Sequence, residues 1–382
     1  MKIAILTQPL GHNYGGILQA FAMQKIIRSM GHQAYTVDFR FPSTWYYQAR
    51  SLTKTALNKY IKRLPNSYGF LDRPTLQESE HIRKNLIQFV NQNIKLTNRI
   101  SEKRSLKDLK QYHFDAYLVG SDQVWRPKYS PDIRAFFLNF VEGRRDIKRI
   151  AYAASFGTDN WEFSRTKTRE CSRLVSLFDG VSVREKGGVE LCRRYLHVNA
   201  HHVVDPTLLL GLDDYLGLIG SSQNKAVGEQ IATYILDDSD QKDRIVASFS
   251  NYMGLPFSAI IPKKHFRRNQ NEHIDEYVMP GIDEWLHRFK TASFIITDSF
   301  HGAVFSIIFE KPFVVIGNID RGISRHESLF SLLGIRDRLI LSNENLNDSK
   351  FLHLDFSEIR KRLAQERVIS MNFLKEHIGI GN

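Results

Sequence analysis

Ala292-Ser293-Phe294-Ile295-Ile296-Thr297-Asp298-Ser299-Phe300-His301-Gly302-Ala303-Val304-Phe305-Ser306-Ile307-Ile308 is the stretch that decides the fold. It opens as a short β-rich apolar run, turns polar at Thr297-Asp298-Ser299, and resumes with the small and apolar residues of a helix. A strand that ends in a small polar turn and feeds a helix is the βα corner of a parallel sheet. Ligands bind at such corners, outside the carboxyl ends of the strands. Asp298 and Ser299 are residue types that cap helices. The free N–H groups of a first helical turn, together with the helix dipole, favour an anion. His301 stands in that turn, where the dipole disfavours its protonated form unless an anion is near. The segment predicts a negatively charged ligand with an imidazole beside it. A structural histidine in a buried turn is the alternative, and these residues alone leave both open.

Outward from this corner, the second half of the chain alternates strand and helix. Strands are expected at 231–236, 258–261 and 312–317, and helices near 242–252 and 282–290. A glycine loop rich in cations, Ile319-Asp320-Arg321-Gly322-Ile323-Ser324-Arg325-His326, follows, and Arg321 or Arg325 is placed to meet an anion held at the His301 corner. The first half has the same rhythm. Lys2 to Thr7 reads as a buried strand, 17–29 as a helix closed by Gly31, and 34–39 as a second strand, so a βαβ unit begins the chain. Its loop carries His12, Asn13, Gly15 and Gly16, and the glycine pair lets backbone approach a ligand closely. The loop is not GxGxxG, so a dinucleotide is only weakly suggested. Strand 114–119 ends in Gly120-Ser121-Asp122, which puts Asp122 at the same sheet edge as Asn13. A carboxylate there suits a sugar hydroxyl, as orienter or proton acceptor; capping of the next turn is the alternative. Strands 149–155 and 178–183 follow, the second ending in Arg184-Glu185. Arg184 suits a bidentate clamp on a carboxylate or phosphate, unless it pairs with Glu185 or Glu190. His202 to Leu208 reads as an edge or crossing strand because Pro206 cannot donate to a ladder. His197, His201 and His202 lack ordered metal-ligand spacing and read as surface chemistry.

These elements predict an α/β protein of two doubly wound, Rossmann-like domains facing a cleft. The first is expected over 1–212 with a helical insertion at about 41–110, the second over 213–354, and a helix at 355–382 packing back across them. The insertion interleaves Phe41, Trp45, Tyr46, Tyr47, Tyr60, Tyr68 and Phe70 with Arg50, Lys54, Lys59, Lys62, Arg63 and Arg73. Such interleaving serves sugars, nucleic acid or lipid headgroups, or simply an amphipathic packing face.

Composition bounds the partners. With 53 Lys+Arg against 41 Asp+Glu, the 382-residue chain has a formal charge of +12. That balance favours polyanions, phosphorylated small molecules or an anionic membrane surface. No zinc-finger spacing, RNP-type segment or Lys/Arg-only tail points to specific nucleic-acid recognition. Two cysteines, Cys171 and Cys192, rule out a disulfide framework and fit a reducing compartment. No run approaches the roughly 20 apolar residues of a spanning helix, and the apolar core of the first strand is short for a signal peptide. The expectation is a soluble cytoplasmic protein, with contact at the inner face of the membrane left open.

Several segments together resemble one family. Asn13-Tyr14-Gly15-Gly16 with Leu18-Gln19-Ala20, Val119 to Trp125, Val183-Arg184-Glu185, and Thr297 to Gly302 followed by Lys311-Pro312-Phe313 are similar, in order and spacing, to the polysaccharide pyruvyl transferases. The resemblance covers most of the chain and implies a GT-B-like fold. It also implies phosphoenolpyruvate as donor, and as acceptor a sugar or lipid-linked glycan of a cell-surface polysaccharide. The product would be a pyruvate ketal on two sugar hydroxyls, made without a metal or resident cofactor. Carried over by position, His301 is the acid/base histidine, Asp122 an active-site carboxylate and Arg184 a donor-binding arginine. The family pattern has arginine two residues before the histidine; this chain has Ser299, and Arg325 or Lys311 would supply the charge. Two other classes stay open: a GT-B glycosyltransferase using a nucleotide sugar, and a non-catalytic protein that binds anionic ligands or nucleic acid.

Overall fold

The computed structural model describes residues 1–11, 13–39, 74–100, 105–130, 132–220, 229–262, 266, 273–317, 322–341 and 349–381. The basic-aromatic residues Phe41 to Arg73, together with His12 and Arg321, lie outside the described residues. Two parallel sheets organise the chain. The first holds β1 (Lys2–Leu6), β2 (Gln33–Thr36), β3 (Ala116–Val119), β4 (Lys148–Ala154), β5 (Gly180–Val183) and β6 (His201–His202), in the order β2-β1-β3-β4-β5-β6. The second holds β7 (Ile231–Tyr234), β8 (Phe257–Ala259), β9 (Phe294–Thr297), β10 (Phe313–Ile316) and β11 (Leu339–Ile340), in the order β11-β10-β9-β7-β8. Each sheet therefore repeats one wiring: the first strand sits between the second and the third, and the later strands add beyond the third. All of the paired strands run parallel. Strands covered on both faces must be apolar throughout, and β3, β7, β9 and β10 are buried at every residue. The short β6 is the edge of its sheet and ends at His202; Pro206 lies beyond it and opens the next helix, so the strand expected up to Leu208 is cut short.

In such a sheet the direction of winding reverses between the first and third strands, and a crevice opens there at the carboxyl ends. The reversals fall between β1 and β3 and between β7 and β9. Leu6 pairs with Val119 at one, and Tyr234 with Thr297 at the other. These two corners place the site.

Helices cover both sheets: α1 (Tyr14–Ser29), α2 (Leu76–Ile82), α3 (Lys84–Asn93), α4 (Arg165–Val175), α5 (Lys186–Leu191), α6 (Pro206–Leu209), α7 (Leu212–Leu216), α8 (Asp240–Met253), α9 (Ile282–Thr291), α10 (Phe300–Ile308), α11 (Ser324–Leu333) and α12 (Phe356–Ile378). The start of α1 differs from the sequence expectation: Gly15 and Gly16 lie inside its first turn rather than in a loop before it. The cause is a close approach. A Cβ on Gly15 would sit 2.0 Å from Nδ1 of His301. Gly31 ends the helix at φ +84°, a conformation glycine adopts without steric cost.

One apolar core joins the two halves, running from Ile3 and Leu18 through Trp285 and Phe305 to Phe373. Tyr14 stacks on Trp285, centroids 5.3 Å apart, and donates its hydroxyl to the Pro280 carbonyl at 2.8 Å. An aromatic pair of this kind adds about 0.5–1.5 kcal/mol beyond its buried area. Helices α2 and α3 also lean on the second half. Met279 donates its backbone N–H to Ile82 at 2.8 Å, and Asn85 donates to the Met279 carbonyl at 2.9 Å. Helix α12 begins beside Glu310, paired with Arg360, and ends on the first sheet, where Lys148 donates to the His377 carbonyl at 2.9 Å. Among the described residues, no helix is long and apolar enough to cross a membrane.

Candidate active site

The two corners face each other across a cleft of about 890 Å³. Asn13, Tyr14, Asp122 and Tyr129 line it from the first half, and Asp298 to His301 with Arg325 and His326 from the second. Ser79, Ile82 and Arg83 line it together with Met279, whose N–H meets the Ile82 carbonyl, and with Ile261, Phe266 and Tyr277. Charge gathers at the corner end, while the far end is mainly apolar.

On the second-domain wall, Asp298 does not cap α10. Its carboxylate turns away to accept the backbone N–H groups of Leu236 and Asp237, at 2.8 and 3.1 Å, and to pair with Lys242 at 2.6 Å. Ser299 occupies the N-cap of α10 without a side-chain cap bond. Its own N–H goes to Thr297 Oγ1 at 3.0 Å, and Thr297 Oγ1 in turn donates to the Tyr234 carbonyl. Helix α10 thus starts with an uncapped first turn on the cleft, although both residues before it are of the types that cap helices. His301 projects from that turn onto Gly15 and is 5% exposed. Phe300 lies between two guanidiniums, Arg184 at 4.7 Å and Arg325 at 5.7 Å from its ring centroid. Arg325 makes no hydrogen bond or ion pair among the described residues, and its Nε is buried without a partner. Burial, and then the nearby Arg184, push its pKa down to about 10. Next to it, burial and Arg325 push the His326 imidazole down to about 3, so that ring is neutral.

On the first-domain wall, Asn13 leaves its helix uncapped and donates instead to Asp122 Oδ2 at 3.3 Å. Asp122 adopts φ +46°, and its Oδ1 accepts the Gln123 N–H at 2.8 Å. Gly15 backs His301, and a Cβ on Gly16 would lie 3.6 Å from Asp122 Oδ2. The imidazole and the carboxylate therefore rest against consecutive glycines of one helical turn.

Behind this wall lies a carboxylate that the sequence reading passed over. Asp205, 1% exposed, sits just after β6 at the first-sheet edge. Its Oδ2 accepts from Gln19 Nε2, from Ser121 Oγ at 3.2 Å and from Arg184 Nη1 at 2.7 Å. Its Oδ1 accepts the Thr207 N–H and hydroxyl at 3.0 and 2.7 Å. His301 Nε2, from the opposite domain, lies 3.7 Å from Oδ2, a charge contact longer than a hydrogen bond. Burial alone would raise the Asp205 carboxyl, but His301, Arg184 and Thr207 outweigh it and hold it well below the usual carboxylate range. The other buried acid, Glu185, is pushed up by burial despite Arg184 beside it; its Oε1 accepts from Ser155 Oγ and from the Phe156 and Gly157 N–H groups. Of the two buried guanidiniums, Arg184 is paired with the Asp205 carboxylate and Arg325 is not.

Among the expected site residues, His301, Asp122, Asn13, Ser299 and Arg325 converge on the cleft. Gly15 and Gly16 support them from behind. Arg184 belongs to the cluster, yet it sits beneath the Phe300 ring rather than on the cleft surface, with Nε and Nη2 buried and unpartnered. Its carboxylate partner is Asp205, not Glu185 or Glu190. Lys311 does not join. It precedes β10 at the amino end of that strand, the sheet edge opposite the His301 corner. His202 also departs from its reading as surface chemistry: its Nε2 lies 3.1 Å from both the Arg184 carbonyl and Ser328 Oγ of the second half. The residues missed are Asp205, Ser121, Phe300 and His326. The one local sign for Asp205 was an acid directly before Pro206 at a strand's end; Gln19 was visible within its motif but without a role.

A family profile described as "Polysaccharide pyruvyl transferase" matches residues 13–321. No curated protein matches the chain. Among solved structures, the chain is similar to UDP-GlcNAc 2-epimerase from Neisseria meningitidis bound to UDP-GlcNAc, at 12% identity and TM-score 0.49, covering 98% of this chain and 100% of that one. It is similar also to MurG of Acinetobacter baumannii, at 9% identity and TM-score 0.45 with 99% of each chain covered. A third is UGT89C1 of Arabidopsis thaliana complexed with UDP, at 13% identity and TM-score 0.43, covering 97% and 95%.

Proposed function

The chain belongs to the polysaccharide pyruvyl transferase family and is a polysaccharide-modifying transferase; from that premise we propose that it moves the pyruvyl group of phosphoenolpyruvate onto two hydroxyls of a sugar. The observation that carries the donor is the pair of buried guanidiniums around Phe300, with three of their nitrogens unpartnered, next to the His301 imidazole. Phosphoenolpyruvate brings a carboxylate and a phosphate. Arg325 faces the cleft and takes one anionic end. Arg184 takes the other once the Phe300 ring swings aside. Arg325 then supplies the charge that Ser299 lacks, by reaching in from α11 instead of from the turn before His301. The uncapped first turns of α1 and α10 add backbone N–H groups at the same place.

The chemistry follows from the donor. A proton added to the methylene C3 makes C2 electrophilic. A sugar oxygen bonds to C2, the bond from C2 to the phosphate oxygen breaks, and the second hydroxyl closes the ketal. One hydroxyl proton ends on C3 and the other leaves with inorganic phosphate. His301 and Asp122, from opposite domains, give and take these protons, help worth about 10²–10⁴ in rate. The far end of the cleft, walled by Ile82, Ile261, Phe266, Tyr277 and Met279, has room for the acceptor glycan.

Purified protein incubated with phosphoenolpyruvate and a sugar acceptor is expected to release phosphate and to add a ketal's mass to the glycan. Thermal stabilisation by UDP- or GDP-sugars but not by phosphoenolpyruvate would overturn the donor assignment in favour of glycosyl transfer.

A further inference from the structure

We propose that Asp205 is the positioning residue of this site: it fixes the tautomer of His301 and stabilises the imidazolium that forms when the ring takes up a proton. The proposal rests on the reading of His301 as the acid/base group. Its physical ground is the arrangement of the ring nitrogens. Nε2 is buried, has no hydrogen-bond partner, and faces Asp205 Oδ2 at 3.7 Å. Nδ1 lies on the Gly15 side of the ring, at the first turn of α1. A buried carboxylate kept ionised beside one imidazole nitrogen favours a proton on that nitrogen. Nε2 therefore carries the hydrogen in the neutral ring, and Nδ1 is the nitrogen that exchanges a proton with a molecule in the cleft. When Nδ1 gains a proton, the positive charge spreads over the ring and meets the Asp205 carboxylate at once.

The carboxylate is itself immobilised. Gln19 and Ser121 hold Oδ2 from α1 and from the turn after β3, and Thr207 holds Oδ1 twice. Such a carboxylate aims a ring without taking its proton, because it stays ionised far below the working pH. Arg184 shares the same oxygen at 2.7 Å, so donor binding and proton transfer meet at one atom. Among the described residues, the charged and titratable groups that share the site with His301 are Asp205 and Arg184, Asp122 next to Gly16, Asp298, Arg325 and the neutral His326. Because Asp205 and His301 belong to opposite domains, their pairing also registers whether the cleft is closed.

The decisive measurement needs no donor. Nitrogen NMR of histidine-labelled protein, with the His301 signal assigned by its loss in His301→Gln, is expected to show neutral His301 with hydrogen on Nε2. A ring with hydrogen on Nδ1 overturns the proposal, whatever donor the enzyme uses. Kinetics give the second arm. Asp205→Asn keeps the shape and removes the charge, and is expected to lower kcat about 10²-fold. Asp205→Glu should recover part of the loss. In the Asp205→Asn variant the neutral His301 ring is expected to weaken its preference for hydrogen on Nε2, a change that loss of packing alone does not produce. A folded Asp205→Asn with kcat within threefold of the parent overturns the proposal. If that variant fails to fold, the tautomer measurement on the unmodified protein still decides.

Discussion

The two domains share a strand order and each brings its reversal corner to the same cleft, yet the corners are finished in opposite ways. The first-domain corner is cross-linked around one carboxylate: Asn13 binds Asp122, and Gln19, Ser121, Thr207 and one nitrogen of Arg184 bind Asp205, with Arg184 Nε and Nη2 left over. The second-domain corner ties Asp298 to Lys242 and to the Leu236 and Asp237 N–H groups. It leaves His301 Nε2, Arg325 Nε and both His326 nitrogens buried without partners. A buried polar group without a partner costs about 1–3 kcal/mol. One wall is thus tied together around Asp205, and the other carries Arg325 and His326, whose buried nitrogens are left without partners.

The largest test of that contrast is His301→Ala. Phosphate release is expected to fall about 10²–10⁴-fold, and removal of the buried ring is expected to lower stability by about 0.5–3 kcal/mol. Full activity would mean that the second wall is not the reactive one. Gly15→Ala comes next. Its Cβ would fall 2.0 Å from His301 Nδ1, so the ring must move, with activity down about 10²-fold and stability lower by about 1–3 kcal/mol. Gly16→Ala is the matched control. Its Cβ would meet Asn13 Nδ2 at 3.2 Å and Asp122 Oδ2 at 3.6 Å, and activity should stay within about tenfold, since its contact is the end of one amide. If Gly15→Ala and Gly16→Ala behave alike, the first turn of α1 does not seat the imidazole.

Arg325→Met separates binding from stability. Donor KM is expected to rise about 10–100-fold, the range for a lost hydrogen bond to a charged group. The ligand-free variant should melt at a higher temperature, because a buried cation without a partner has been removed. A lower melting temperature in calorimetry would show that Arg325 stabilises the fold after all.

A separate effect is in the pH dependence of stability. His326 titrates near 3 in the folded protein against an ordinary value of 6.5. Between those values the unfolded chain binds the extra proton, so this ring's contribution is complete above about pH 6.5 and fades as pH falls toward 3. Asp205, whose folded value is also depressed, loses its contribution only lower, below its ordinary value near 3.8. His326→Gln should therefore flatten denaturant stability between pH 6.5 and 4 while leaving the steeper loss below. An unchanged slope would show that His326 is solvated in solution.

Residues legible in the sequence are those whose role is set within one corner. Strand, polar turn and helix follow from a few neighbouring residues, so the His301, Asp122 and Asn13 corners could be read directly, and a parallel sheet puts all such ends on one edge. Arg325 was readable as a cation in a loop aimed at that edge. Lys311 misled because it is close to the corner in sequence, whereas a parallel strand carries it to the other end of β10. Asp205 was invisible for the reverse reason: its partners Gln19, Ser121, Arg184 and His301 come from four separate segments.

The sequence by itself determined two parallel α/β halves, the corners that end their first and third strands, the positive charge and the family, because periodicity, turn chemistry and motif order are local properties of the chain. Only the tertiary structure decided which of those corners meet, that Arg184 lies beneath Phe300, and that one buried carboxylate serves both a guanidinium and an imidazole. Those are distances between elements far apart in sequence, fixed by strand order and by the packing of Tyr14 on Trp285, and no local pattern encodes them.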